Sequence, residues 1–137
     1  MKSFELLPHT ADVRIKAKGS TLGYLFEAAL EGLCKVIQPD YPFMDLDYTI
    51  IIEFEIKSFD ETSLLIDFLS YVLTRMHNIR AIFPKVDIKE LESGKMKAII
   101  YGANIEGFAT DVKAVTYHEA EIIIKDNFYE TMIVLDI

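Results

Sequence analysis

Between Val13 and Lys18 the chain alternates without a break, apolar at 13, 15 and 17 and basic at 14, 16 and 18. A two-residue period of that kind predicts a strand with one buried face. Gly19-Ser20 punctuates it, with Ser20 placed as an N-cap. Leu22, Leu25, Phe26, Ala29, Leu33 and Val36 then recur at helical spacing, giving a helix that Pro39 stops. Tyr48 to Ile56, β-branched and apolar at its centre, reads as a second strand. Asp60 can cap a second helix with Leu65, Phe68, Leu69, Val72 and Met76 on one stripe. Leu64, Ile66, Tyr71 and Leu73 widen that stripe, so this helix is either covered on two sides or meets another protein. Coverage within the domain is the simpler expectation.

Pro84 closes the linking segment, and four strands follow: Val86–Leu91, Met96–Tyr101, Val112–Ile124 and Phe128–Asp136. Ser93-Gly94 and Asp126-Asn127 supply hairpin turns from residues that tolerate positive φ. The expected class is α+β, with two helices packed on a mixed, largely antiparallel sheet in the order β-α-β-α-β-β-β-β. No repeat or Pro/Gly-rich linker divides the chain, so residues 1–137 are read as one domain. The stretch from Gly102 through Gly107 to Asp111 is the longest irregular connection of the second half, and a candidate functional loop on that ground.

Composition narrows the function classes. Half the residues (51%) are hydrophobic, enough for a core without disulfide or structural zinc. The lone cysteine, Cys34, has no intrachain partner and favours a reducing compartment. No apolar run is long enough to span a membrane and no signal-peptide pattern opens the chain. A soluble, cytoplasmic protein with no membrane partner is therefore expected. The net charge of −8 repels phosphate backbones and argues against strong nucleic-acid binding. It suits a divalent cation or a basic protein instead.

Candidate chemistry gathers near the two ends. The last strand runs to Asp136-Ile137, which brings the Asp136 side chain close to the terminal carboxylate. Two fixed anions repel unless a cation, a proton or a cationic partner comes between them. Asp12, with His9 three residues before it, leads into the first strand. It could be a metal ligand, although spacing alone is explained more simply by local hydrogen bonds to backbone amides. Oxygen donors of this kind suit a hard cation; calcium accepts irregular geometry and magnesium does not. His9 by itself reads better as a hydrogen-bonded supporting residue, and His118 as a satisfied, partly buried one. Lys113 could neutralise nearby carboxylates or meet an anionic partner. No His-x-x-His, Cys-x-x-Cys or Gly-rich phosphate loop occurs, and no serine lies in a nucleophile elbow.

His9-Thr10-Ala11-Asp12-Val13, followed by the Gly-Ser-Thr helix start and Phe26-Glu27-Ala28-Ala29, resembles the opening of the archease family. Val112-Lys-Ala-Val-Thr-Tyr-His118 and the terminal Val-Leu-Asp136-Ile137 are similar to its C-terminal signature. The resemblance runs end to end. It implies a small protein cofactor, not itself an enzyme, that activates the RNA 3′-phosphate ligase of tRNA splicing. Such cofactors promote guanylylation of the ligase and allow it multiple turnovers. The resemblance also implies a metal site at Asp12, Asp136 and Ile137, the last through its terminal carboxylate, with calcium as the ion. His9, Lys113 and Asp111 become candidates to support that site or to face the partner. Two other readings stay open: a metal-dependent enzyme acting on a small phosphorylated substrate, and a chaperone or interaction module using the second helix.

Overall fold

The structure, a computed structural model, describes residues 1–8, 12–40 and 47–137. The class is the expected one, and its strands form two antiparallel sheets. The first sheet joins β1 (Lys2–Pro8), β2 (Asp12–Gly19) and β8 (Phe128–Asp136), with β6 (Ala114–Thr116) and β7 (Ile123–Lys125) sharing the far edge of β8. The second orders β3 (Ile50–Lys57), β5 (Lys95–Asn104) and β4 (Ala81–Glu92). Helix α1 (Leu22–Ile37) packs on β1, β2, β8 and β4, so it touches both sheets. Helix α2 (Glu61–Ile79) does the same through β6 on one side and β3, β4 and β5 on the other.

The pattern along the chain explains most of this. Ile15 and Ala17, on the apolar side of β2, are fully buried under α1. Helix α2 is apolar on two sides because it is covered on two sides. Leu64, Leu65, Ile66, Phe68, Leu69, Val72, Leu73 and Met76 are all buried. Phe68 stacks between Phe26 of α1 and Phe54 of β3, with ring centroids 5.9 and 6.0 Å apart, and Tyr71 adds a 4.6 Å stack on Phe54. Asp60 caps α2 by accepting from the Ser63 N–H at 2.7 Å. Ser93-Gly94 and Asp126-Asn127 all adopt positive φ, as two-residue hairpins require.

Several details depart from the expectation. Strand β1 has no clean alternation to announce it, and exists because β2 offers it an edge. The cap of α1 is Thr21, which accepts from Tyr24 N–H at 3.1 Å, while Ser20 accepts from the N-terminal ammonium at 2.8 Å. Pro84 lies within β4 rather than before it. The register shifts there, between Ile82 and Lys85, on an edge strand where a missing N–H is tolerated. The stretch expected as one strand from Val112 to Ile124 is split into β6 and β7, because residues 117–122 leave the sheet. Glu119 at the bend has a φ of 62°, which no continuous strand accommodates. His118 is accordingly exposed and not partly buried: β6 ends at Thr116 and the chain leaves the sheet before it reaches 118.

Candidate functional site

The register of β2, β8 and β6 builds the site. Asp12 lies directly opposite Asp136, and Ala114 lies opposite Asp136 on the other edge. Residues directly opposite in an antiparallel pair share a face, with Cβ atoms about 4.5–5.5 Å apart. Asp12 and Asp136 are thus two carboxylates on one row, at the sheet's end, with the Ile137 carboxylate one residue further. Arg14, Val134 and Thr116 form the next row on the same face. The inner rows, with Ile15, Ile133, Val115 and Leu135, are buried and hold the strands in place. Lys113 N–H donates to the Asp136 carbonyl at 2.7 Å, fixing the last residue of β8 from its second edge.

Like charges set directly opposite each other cost stability. A guanidinium relieves part of that cost. Arg14 Nε is 3.9 Å from Asp12 Oδ1. Its two Nη atoms are bound to Glu119, at 3.0 and 3.4 Å. Glu119 belongs to the 117–122 arch, which α2 holds from below. Tyr117 hydroxyl donates to the Asp67 carboxylate, and Ile122 N–H donates to Thr62 Oγ1 at 3.2 Å. The bond to Asp67 raises the Tyr117 phenol above its ordinary value by favouring the protonated form. Asp67 also accepts from Ser58 at 2.5 Å.

The other candidates fall elsewhere. His9 lies outside the described residues. Asp111 Oδ1 is 3.8 Å from His77 Nε2 at the end of α2, where a cavity of about 320 Å³ is bounded by His77, Arg80, Phe108 and Asp111. A second cavity, of about 510 Å³, lies against Lys2, Glu27, Glu31, Tyr48 and Lys85 and takes in neither Asp12 nor Asp136. Cys34 is buried, its thiol donating to Phe83 C=O at 3.4 Å, and burial pushes it well above the usual thiol range. It is a core residue. Among the described residues no three His, Cys, Asp or Glu side chains gather into a cage, so a cation at the Asp12–Asp136 row would need the terminal carboxylate and outside donors. Two residues of the site escaped sequence reasoning. Arg14 read as one more solvent-facing base of β2, and nothing local ties Glu119 to it.

The profile of the archease protein family matches residues 4–137. The chain belongs to the archease family. A protein archease of Methanosarcina mazei is 30% identical, with 99% of this chain and 97% of that one covered. One of Pyrococcus abyssi is 33% identical over 89% of each. The solution structure of Methanobacterium thermoautotrophicum protein 1598 superposes with a TM-score of 0.79, at 29% identity and 98% coverage of both chains. The crystal structure of a Thermotoga maritima protein described as an archease, possible chaperone, shares the fold at a TM-score of 0.68 and 20% identity. Among the described residues no helix is long and apolar enough to cross a membrane.

Proposed function

We propose that this archease-family chain is a non-catalytic protein cofactor of the RNA 3′-phosphate ligase of tRNA splicing, promoting its guanylylation and its repeated turnover. Asp12, Asp136 and the Ile137 carboxylate would hold a divalent cation, calcium by preference. The observation that carries this reading is the register of Asp12 opposite Asp136. A sheet that aligns two carboxylates on one row, against their repulsion, has a use for the charge.

The donor set fits a hard cation. All three groups are carboxylates, and two come from neighbouring strands whose spacing is fixed by the core behind them. Bound there, calcium would supply positive charge and open coordination positions for a partner's oxygen donors. The chain's own residues do the positioning. β2 and β8 fix the two side chains, Lys113 N–H pins the Asp136 backbone, and Arg14 offsets the negative charge beside them. Asp136 and Ile137 are exposed, so a protein partner can reach them. A metal-dependent enzyme would want the carboxylates in a closed pocket, and neither cavity above contains them. An interaction module using α2 would want its apolar stripe free, and that stripe is buried.

RNA joining by the cognate ligase, measured with ligase in excess and then with substrate in excess, tests the proposal. The protein should raise the number of joins per ligase and the amount of ligase–GMP intermediate. Equal turnover with and without it would remove the reading.

A further inference from the structure

The Arg14–Glu119 pair bridges residues 105 positions apart and ends 3.9 Å from an acid of the candidate cation site. Both Nη atoms are taken up by the Glu119 carboxylate, leaving Nε–H as the side of the fork that faces Asp12. That Nε is buried and finds no hydrogen-bond acceptor, since 3.9 Å is too long for one. The guanidinium therefore acts on Asp12 through charge without closing onto it. What stops it is Glu119. That carboxylate sits at a left-handed bend, an uncommon conformation for a non-glycine residue, and the bend is anchored to α2 on both sides by Tyr117 and Ile122. The position of the guanidinium is thus dictated by the arch and not by Asp12.

We propose that Arg14 is a built-in competitor for the cation at the Asp12–Asp136 row, and that Glu119 sets the strength of the competition by holding the guanidinium back. This rests on the cation-site reading above. Without a cation, Arg14 supplies the positive charge that keeps two opposed carboxylates tolerable. With a cation present, Arg14 repels it across a half-exposed site, lowering affinity into a range where the ion can exchange. The two residues are positioning residues with opposite effects. Removing Arg14 takes that repulsion away from the cation. Removing Glu119 frees the guanidinium to close on Asp12 and block it.

Calorimetric titration of chelator-treated protein with calcium chloride, at low salt, distinguishes the possibilities. Arg14→Gln should bind calcium about tenfold tighter, the scale expected for a unit charge a few ångströms from the ion in a half-exposed site. Glu119→Gln should bind several-fold weaker. The double variant should remain tighter than wild type, because Glu119 acts through Arg14. Without calcium, Arg14→Gln should melt below wild type, and saturating calcium should restore it more than it raises wild type. A merely structural ion pair would weaken binding in both single variants. Asp12→Asn serves as the control for the site itself. Calcium binding by wild type, lost in Asp12→Asn but unchanged or weaker in Arg14→Gln, would overturn the competitor role and leave the site standing. No calcium heat and no melting shift in wild type and Arg14→Gln alike would overturn the site and the proposal together. Glu119 is exposed and its replacement spares the core, so the weaker-binding arm survives even if Arg14→Gln folds poorly.

Discussion

Two regions of this molecule look functional from sequence, and they differ in how they spend their polar groups. The connection after β5 is irregular, but its backbone is consumed by the fold. Ile105 N–H caps the end of α2 on Arg80 C=O, and Ala109 and Thr110 N–H both meet Ile37 C=O at the end of α1. Gln38 Oε1 accepts from Ala109 as well. This loop closes helix ends that would otherwise leave carbonyls unpaired. The other region, at the ends of β2 and β8, is regular in backbone and costly in charge. Asp12 faces Asp136 across a perfect register, with a guanidinium alongside. Irregular backbone here reports structural accounting; the charge arrangement at the strand ends breaks the pairing rules, and it is there that the proposed cation site lies.

The largest expected effect tests that contrast directly. Asp12→Asn and Asp136→Asn should each abolish measurable calcium binding and ligase stimulation. Neither truncates core volume, and relief of like-charge repulsion should keep the stability change within about 1 kcal/mol. Asp111→Asn, in the loop, should leave calcium binding and melting as they are, since its contact with His77 is exposed and long. Calorimetry beside a denaturant melt would show it. A strong calcium defect in Asp111→Asn with intact binding in Asp12→Asn would invert the comparison.

The loop should instead break through stability. Gly102, at its root, has no room for a side chain: a Cβ would lie 2.4 Å from Ile82 O and 2.5 Å from a Phe83 ring carbon. A backbone oxygen cannot swing away, so Gly102→Ala should cost about 1–3 kcal/mol in a urea melt. The calcium affinity of the folded fraction should not change.

How far the sequence foretold this follows from the range of each interaction. Both helices, both tight turns and the final strand were legible because period, cap and turn residues are local signals. Strand β1 was not, since its pairing with β2 is what makes it a strand. Nor was the arch between β6 and β7: Val112 to Ile124 has strand composition throughout, and long-range ties from Tyr117 to Asp67 and from Ile122 to Thr62 hold its middle out of the sheet. Asp12 and Asp136 could be nominated by resemblance, but their opposition is a property of register. Arg14 and Glu119 could not be joined at all, because nothing within either segment refers to the other.

A smaller effect distinguishes the loop's redundancy. Gln38→Ala removes one acceptor for Ala109 N–H, which keeps Ile37 C=O at 3.0 Å. The loss should be about 0.5 kcal/mol, the low end for a hydrogen bond with a surviving partner. A loss several times larger would mean that the side chain, not the helix carbonyl, holds the loop.

The smallest effect, and the one that links the arch to the charged row, concerns Tyr117. Its hydroxyl donates to Asp67, which favours the protonated phenol and raises its pKa above the ordinary value of about 10. For a group whose pKa is raised on folding, the stabilisation is fully present below the unfolded value. It is lost as pH rises through the folded one. The anchor should therefore hold at all pH below about 10 and release above it, when the tyrosinate faces the Asp67 carboxylate. Tyr117 is 58% exposed, so solvent screens the contact and the change in global stability is slight. The consequence should be local. Tyr117→Phe should melt just below wild type at neutral pH, and the gap should close above pH 10. Its calcium affinity at neutral pH should move in the direction of Glu119→Gln but less far, because the arch keeps its second tie at Ile122. In an ultraviolet titration of the tyrosines, Tyr117→Phe should lose one late-ionising phenol and keep that of Tyr48, which burial raises. If the number of late-ionising phenols is unchanged in Tyr117→Phe, or the variant's calcium affinity equals wild type while Glu119→Gln is weakened, the arch is held by other contacts and Tyr117 has no part in placing Glu119.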